Sequence, residues 1–137
     1  MNPTLRVVLA VLAGVLFGGL VVAGVEAANG LIHAMPEGLD RSDPGAMRAF
    51  VAGLPALAFV LLLVGWLLGT FLGGALAVRM AGQRPALVAG IVGGVILAAT
   101  VMNLVMLPHP IWVVIGAVVG IPAAAWLAGR TLPGPTA

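Results

Sequence analysis

Four apolar runs, separated by short breaker-rich segments, organise the chain. They cover about 5–26, 44–78, 86–107 and 110–128, and roughly 20 apolar residues suffice for a helix that crosses a bilayer. The second run is too long for one perpendicular crossing. Gly53 and Pro55 predict a kink near 53–55, with the first turns lying along the interface and the rest crossing. Asp43 suits an N-cap and Pro44 the first helical position, while Pro85 opens the third run. The first run, preceded by Arg6 and followed by Val25-Glu26-Ala27, has the outline of a signal peptide, but it is long for a signal core and reads as a retained helix.

Within every run, small residues recur every fourth position. The ladders are Ala10, Gly14, Gly18; Gly65, Gly69, Gly73, Ala77; Ala86, Gly90, Gly94, Ala98; and Gly116, Gly120, Ala124, Ala128. Four residues is slightly more than one helical turn, so each ladder forms a shallow groove along one face. Lipid tails are as apolar as leucine, so helices in a bilayer associate by close backbone approach. The expected fold is all-α: a single transmembrane four-helix bundle over 1–130 with small-xxx-small packing, followed by a disordered tail at 131–137. Four helices need only two or three ladders internally, which leaves a groove for a partner.

Composition narrows the class. Hydrophobic residues make up 62% and charged residues 7% of the 137, against about 25% charged in soluble domains. The net charge is only +2 and tyrosine is absent, so the basic face with stacking aromatics that nucleic acid requires is missing. Cysteine is absent, which excludes disulfides and thiolate chemistry. Lysine is absent too, and with abundant Ala, Gly and Val this fits a GC-rich bacterial genome.

Arginine placement orients the bundle. Arg6, Arg79, Arg84 and Arg130 fall on one side, while Arg41 and Arg48 lie on the other with Glu37, Asp40 and Asp43. The positive-inside rule puts both termini in the cytoplasm. Trp112 and Trp126 suit interfacial belts, and Trp66 lies deeper.

The polar side chains gather on the outer side. Glu26, expected at the end of the first helix, is followed by Asn29 and His33 and joined by His109 in Pro108-His109-Pro110. Glu26, His33 and His109 are the metal candidates, since histidine with carboxylate suits zinc and histidine with the thioethers of Met35, Met47, Met102 and Met106 suits cuprous copper; the spacing contains no tight ligand pair, and a bland interfacial role competes with a site. Met102 and Met106 read as core residues. Thr70, Thr100 and Asn103 are the intramembrane polar groups, available for a polar path or for interhelical hydrogen bonds. No cofactor is called for. The chain lacks a nucleophile elbow, a phosphate loop and paired intramembrane aspartates, so it is not expected to be an enzyme.

The run from Glu26 through His33-Ala34-Met35-Pro36, Asp40 and Asp43 into Ala49–Pro55, together with Pro108-His109-Pro110, resembles a family of small bacterial inner-membrane proteins. That resemblance implies a four-helix inner-membrane protein and brings no activity or ligand with it. Small multidrug transporters are also short and four-helical, but their essential glutamate lies well inside the first helix.

The leading functional expectation is a structural or accessory subunit that packs on itself or on a larger membrane complex within the lipid bilayer. The runner-up is a small oligomeric transporter or channel for a cation or small solute, with the outward-facing polar cluster as its site.

Overall fold

The computed structural model describes residues 1–131. Those residues form five helices: α1 (Pro3–Ile32), α2 (Pro44–Ala52), α3 (Ala56–Ala81), α4 (Pro85–Met106) and α5 (Ile111–Gly129). Four of them, all but α2, are long and apolar enough to cross a membrane. The expected tail lies outside the described residues, except for Thr131.

Two boundaries differ from the sequence reading. The first helix continues past Glu26 to Ile32, so Glu26 stands inside α1 and not at its end. No proline or capping residue follows Glu26 at once, and Ala27, Ala28 and Leu31 favour continuation. At about 1.5 Å per residue α1 is roughly 45 Å long, longer than the bilayer's hydrocarbon core. The second apolar run is broken into α2 and α3, not merely kinked. Gly53 closes α2 and Pro55, in extended conformation, caps α3, because proline supplies no N–H to carry the ladder through and biases Leu54 away from helix.

Local chemistry sets the other ends. Asn2 and Asp43 accept backbone N–H groups from Thr4 and Gly45 at 2.9 and 2.8 Å, and Pro3 and Pro44 follow them at first helical positions. Gly82 ends α3 in the left-handed region, at φ 65°, as helix C-terminal glycines commonly do. In the 33–43 loop, the Ser42 hydroxyl and backbone N–H hydrogen-bond to the Asp40 carboxylate and hold its pKa below the ordinary value. A lowered carboxyl pKa contributes loop stability above the unfolded value, lost as pH falls through the lowered one. Ser42→Ala is accordingly expected to raise the Asp40 pKa, an effect that an NMR titration of the carboxyl carbon measures.

Helix α3 is the hub. It packs on α1, α4 and α5, while α4 also touches α1 and α5. Against α1, the backbones meet: a Cβ at Gly14 would lie 2.5 Å from the Gly73 carbonyl oxygen, and one at Gly18 would lie 2.6 Å from that of Gly69. Gly65 lies beside Val25. On the α5 side the contact is different in kind, since Gly116 and Gly120 receive the Leu63 and Leu67 side chains of α3.

The glycines of the third ladder do not pack inside the chain. Gly90 and Gly94 have no atom within 4 Å of an added Cβ, and the inward face of α4 instead uses Gly93, whose Cβ would meet that of Ala125 at 2.5 Å. Val88, Ala89, Val92, Ile96 and Thr100 complete that face. Met102 and Met106, read from sequence as core, are exposed.

Three contacts define one end of the bundle. Arg6 Nε donates to the Met80 carbonyl (2.8 Å), Gln83 Nε2 donates to that of Pro3 (3.1 Å), and Gly129 lies against Ala86. Arg79, Arg84 and Arg130 belong to this end, where Arg130 stacks 3.8 Å over the Trp126 ring. The opposite end holds the 33–43 loop, α2 and Pro108-His109-Pro110, with α2 tied down by Arg48 Nε donating to Met106 O (3.3 Å) and by buried Val51.

Candidate functional site

A cavity of about 450 Å³ opens at this second end, between the last turns of α1, α2, the start of α3 and the end of α4. Glu26, His33 and His109 all line it, with Asn29, Asn103 and Arg41. The longer α1 is what makes the gathering possible: Glu26, Asn29 and His33 sit three and four residues apart, on one helical face. Chain topology then brings Asn103 from α4 and His109 from the following turn to the same space.

Each polar group is held differently. Glu26 Oε1 accepts the indole N–H of Trp66 at 3.3 Å, which fixes the carboxylate against the buried face of α3. Trp66 is itself anchored, since Thr70 Oγ1 donates to its carbonyl at 2.7 Å. Asn29 Nδ2 donates to Ala58 O at 3.0 Å, so its Oδ1 is the group facing His33 Nδ1 at 2.9 Å. An amide oxygen only accepts, so His33 carries its proton on Nδ1 and, when neutral, keeps Nε2 as an acceptor. His109 is oriented by the same logic: Nδ1 lies 2.8 Å from the Leu107 carbonyl and must donate to it. The His109 ring packs edge-on to Phe59 (centroids 5.8 Å apart) and lies 6.0 Å from the Trp66 ring.

Asn103 stands apart. Its Oδ1 is fully buried and has no hydrogen-bond partner, although buried polar atoms are almost always paired. The residue also lines a second recess of about 260 Å³, with Glu26, Trp66, Thr100, Ala99 and Gly19. Glu26 and Asn103 therefore border both spaces, and polar lining continues from the end of the bundle toward Thr100.

The sequence-level metal candidates meet at one cavity but do not form a ligand set. Among the described residues no three His, Asp or Glu side chains converge as a metal ion requires. Of the polar-path candidates, Thr100 and Asn103 reach the recess, whereas Thr70 is buried behind Trp66. Sequence reasoning placed Asn29 with Glu26 and His33 on the outer side without giving it a role, and did not assign Trp66 or Phe59 to the site. The Glu26–Asn29–His33 spacing carried a signal for Asn29 once the helix was extended; nothing in the sequence pointed to Trp66 pairing with Glu26.

Comparison of the chain with protein-family models, with curated proteins and with solved structures finds no match in any of the three.

Proposed function

We propose that this is a small integral membrane protein of the bacterial inner membrane that admits a small solute into the polar end of its bundle, as the entry half of a transport path. The cavity that collects Glu26, Asn29, His33, Asn103 and His109 from three chain segments carries this reading. A purely structural bundle has no need to place an unpartnered amide oxygen at the border of two recesses. Beyond Thr100 the helices close, with Gly14 against Gly73 and Gly93 against Ala125, so the path is open at one end and shut at the other. Arginine placement supports an outward-facing cavity and a cytoplasmic location for both termini. The reading involves binding and passage, without catalysis or a resident cofactor.

The absence of cysteine makes the test direct. Ala99→Cys, on the exposed border of the recess that Glu26 and Asn103 share, is expected to react with a membrane-impermeant thiol reagent from the outer side of sealed vesicles. Gln83→Cys, at the arginine end, is expected to react only after permeabilisation. Labelling of Ala99→Cys by lipid-soluble reagents alone would sink the entry reading.

A second reading, a subunit that associates through helix packing, is favoured by one observation: the outward α4 stripe of Ala86, Gly90, Gly94 and Ala98 is vacant along its glycines. A second copy of the chain is the occupant proposed, since α1 and α3 already pair glycine against glycine in the way two facing α4 helices would repeat. The doubly substituted Gly90→Leu, Gly94→Leu chain is expected to remain folded and to run as a monomer in native mass spectrometry of nanodiscs, where the parent runs as a dimer.

A further inference from the structure

The helix-borne polar groups of the end cavity are mostly unspent acceptors, with Arg41 from the 33–43 loop as its cationic donor. The Glu26 carboxylate has two oxygens and receives one long bond from Trp66. Asn103 Oδ1 receives none. Both histidines spend their Nδ1 proton on Asn29 or on the Leu107 carbonyl, which leaves Nε2 of each neutral ring as an acceptor. One negative charge, an orphan amide oxygen and two imidazole acceptors bordering one space call for a ligand that is positive and rich in N–H donors. A metal ion fits poorly, because no three ligating side chains converge among the described residues. An anion would face the carboxylate.

We propose that this cavity binds a primary ammonium group, whose N–H donors go to the Glu26 carboxylate and, after a side-chain rotation that turns the buried oxygen toward the cavity, to Asn103 Oδ1. The proposal rests on the solute-entry reading and names its ligand class. Two features narrow the choice further. Phe59 and His109 line the cavity, and the Trp66 ring, which borders the neighbouring recess, lies 6.0 Å from His109; aromatic faces attract cations. A quaternary ammonium would satisfy those rings and the charge of Glu26, but it has no N–H for Asn103. Discrimination between primary and quaternary amines is therefore the signature of the orphan oxygen. Arg41 also lines the cavity from the exposed loop, where it offers a partner to the anionic remainder of a zwitterion. Such an ammonium comes from a free amine or from the headgroup of an aminophospholipid.

The test uses the full chain in nanodiscs of phosphatidylcholine and phosphatidylglycerol, with Trp112→Phe and Trp126→Phe so that Trp66 is the sole indole. Titrated ethylammonium chloride is expected to change Trp66 fluorescence saturably, and tetramethylammonium chloride to bind at least about tenfold more weakly, the scale of one charge-assisted hydrogen bond. Glu26→Gln keeps an oxygen for the Trp66 N–H and is expected to abolish ethylammonium binding. Asn103→Leu is expected to weaken ethylammonium and leave tetramethylammonium unchanged. Comparable affinity of the two cations in the parent chain overturns the proposal without recourse to any variant. Saturable binding of acetamide but of neither cation would also overturn it, while leaving solute entry standing; no response to any of the three, with Ala99→Cys unlabelled, removes both. Replacing phosphatidylcholine by phosphatidylethanolamine then separates the sources. Competition with ethylammonium assigns the lipid headgroup, and unchanged titration assigns a free amine.

Discussion

Gly18→Val is expected to unfold the bundle or to lower its stability by about 3 kcal/mol or more, the upper range for overpacking a tight contact. The physical reason is that the new atom would meet backbone. A Cβ at Gly18 would lie 2.6 Å from the Gly69 carbonyl oxygen and 3.1 Å from Ile96 Cδ1. Ile96 has rotamers available to it; a helical carbonyl has none. Relief requires α1 and α3 to separate, and separation weakens the neighbouring approach of Gly14 to Gly73 as well. In a bilayer nothing compensates, because apolar surface freed from a helix partner meets lipid instead of water. Gly24→Val is the matched control. It adds the same atoms to a helical glycine with nothing within 4 Å, and a change of about 0.5 kcal/mol or less is expected, as at ordinary exposed positions. Equilibrium unfolding in mixed micelles of increasing dodecyl sulfate content, followed by circular dichroism, measures both. Equal tolerance of valine at the two positions would show that α1 and α3 do not approach as closely as described.

The glycines also mark how far the sequence could be read. Spacing alone located four apolar runs and, on each, a stripe of small residues. Spacing does not say which stripe faces inward when a helix carries two. Helix α4 has glycines at both 93 and 94, one step of about 100° apart, and Gly93 rather than the ladder glycines meets α5. Only the geometry of three neighbouring helices decides between such faces. The split between α2 and α3 was anticipated as a kink, because Gly53 and Pro55 are local signals whose meaning depends on little else.

The site was partly legible for a similar reason. Glu26, His33 and His109 were identifiable by residue type, and their common location follows from helix count, since an even number of crossings returns His109 to the side of Glu26. Their partners were not identifiable. The Trp66 indole that meets Glu26 is 40 residues away in sequence, and an orphan oxygen on Asn103 is a property of what surrounds it. Residue type reported the capacity for chemistry; the three-dimensional arrangement reported which capacity is unspent.

Asn103→Leu is expected to stabilise the ligand-free protein by about 1–3 kcal/mol, the usual penalty of a buried acceptor left without a donor. Leucine branches at the same carbon and has nearly the same outline, so the substitution removes the unpaired oxygen without opening a cavity. The same change is expected to impair binding at the end of the bundle. Stability and binding would then move in opposite directions, the pattern that separates a site residue from a structural one. Asn103→Asp provides the opposite sign: a second carboxylate beside the recess that Glu26 also borders adds like-charge repulsion and desolvation, and a lowered midpoint is expected. The dodecyl sulfate titration used for the glycine variants reports both changes. A loss of stability in Asn103→Leu comparable to that in Asn103→Asp would mean that the amide oxygen has a structural partner in the membrane. The unspent acceptor, and with it the case for an ammonium ligand, would then disappear. A gain in Asn103→Leu would identify Asn103 as a group retained in an unfavourable unliganded environment because the ligand completes it.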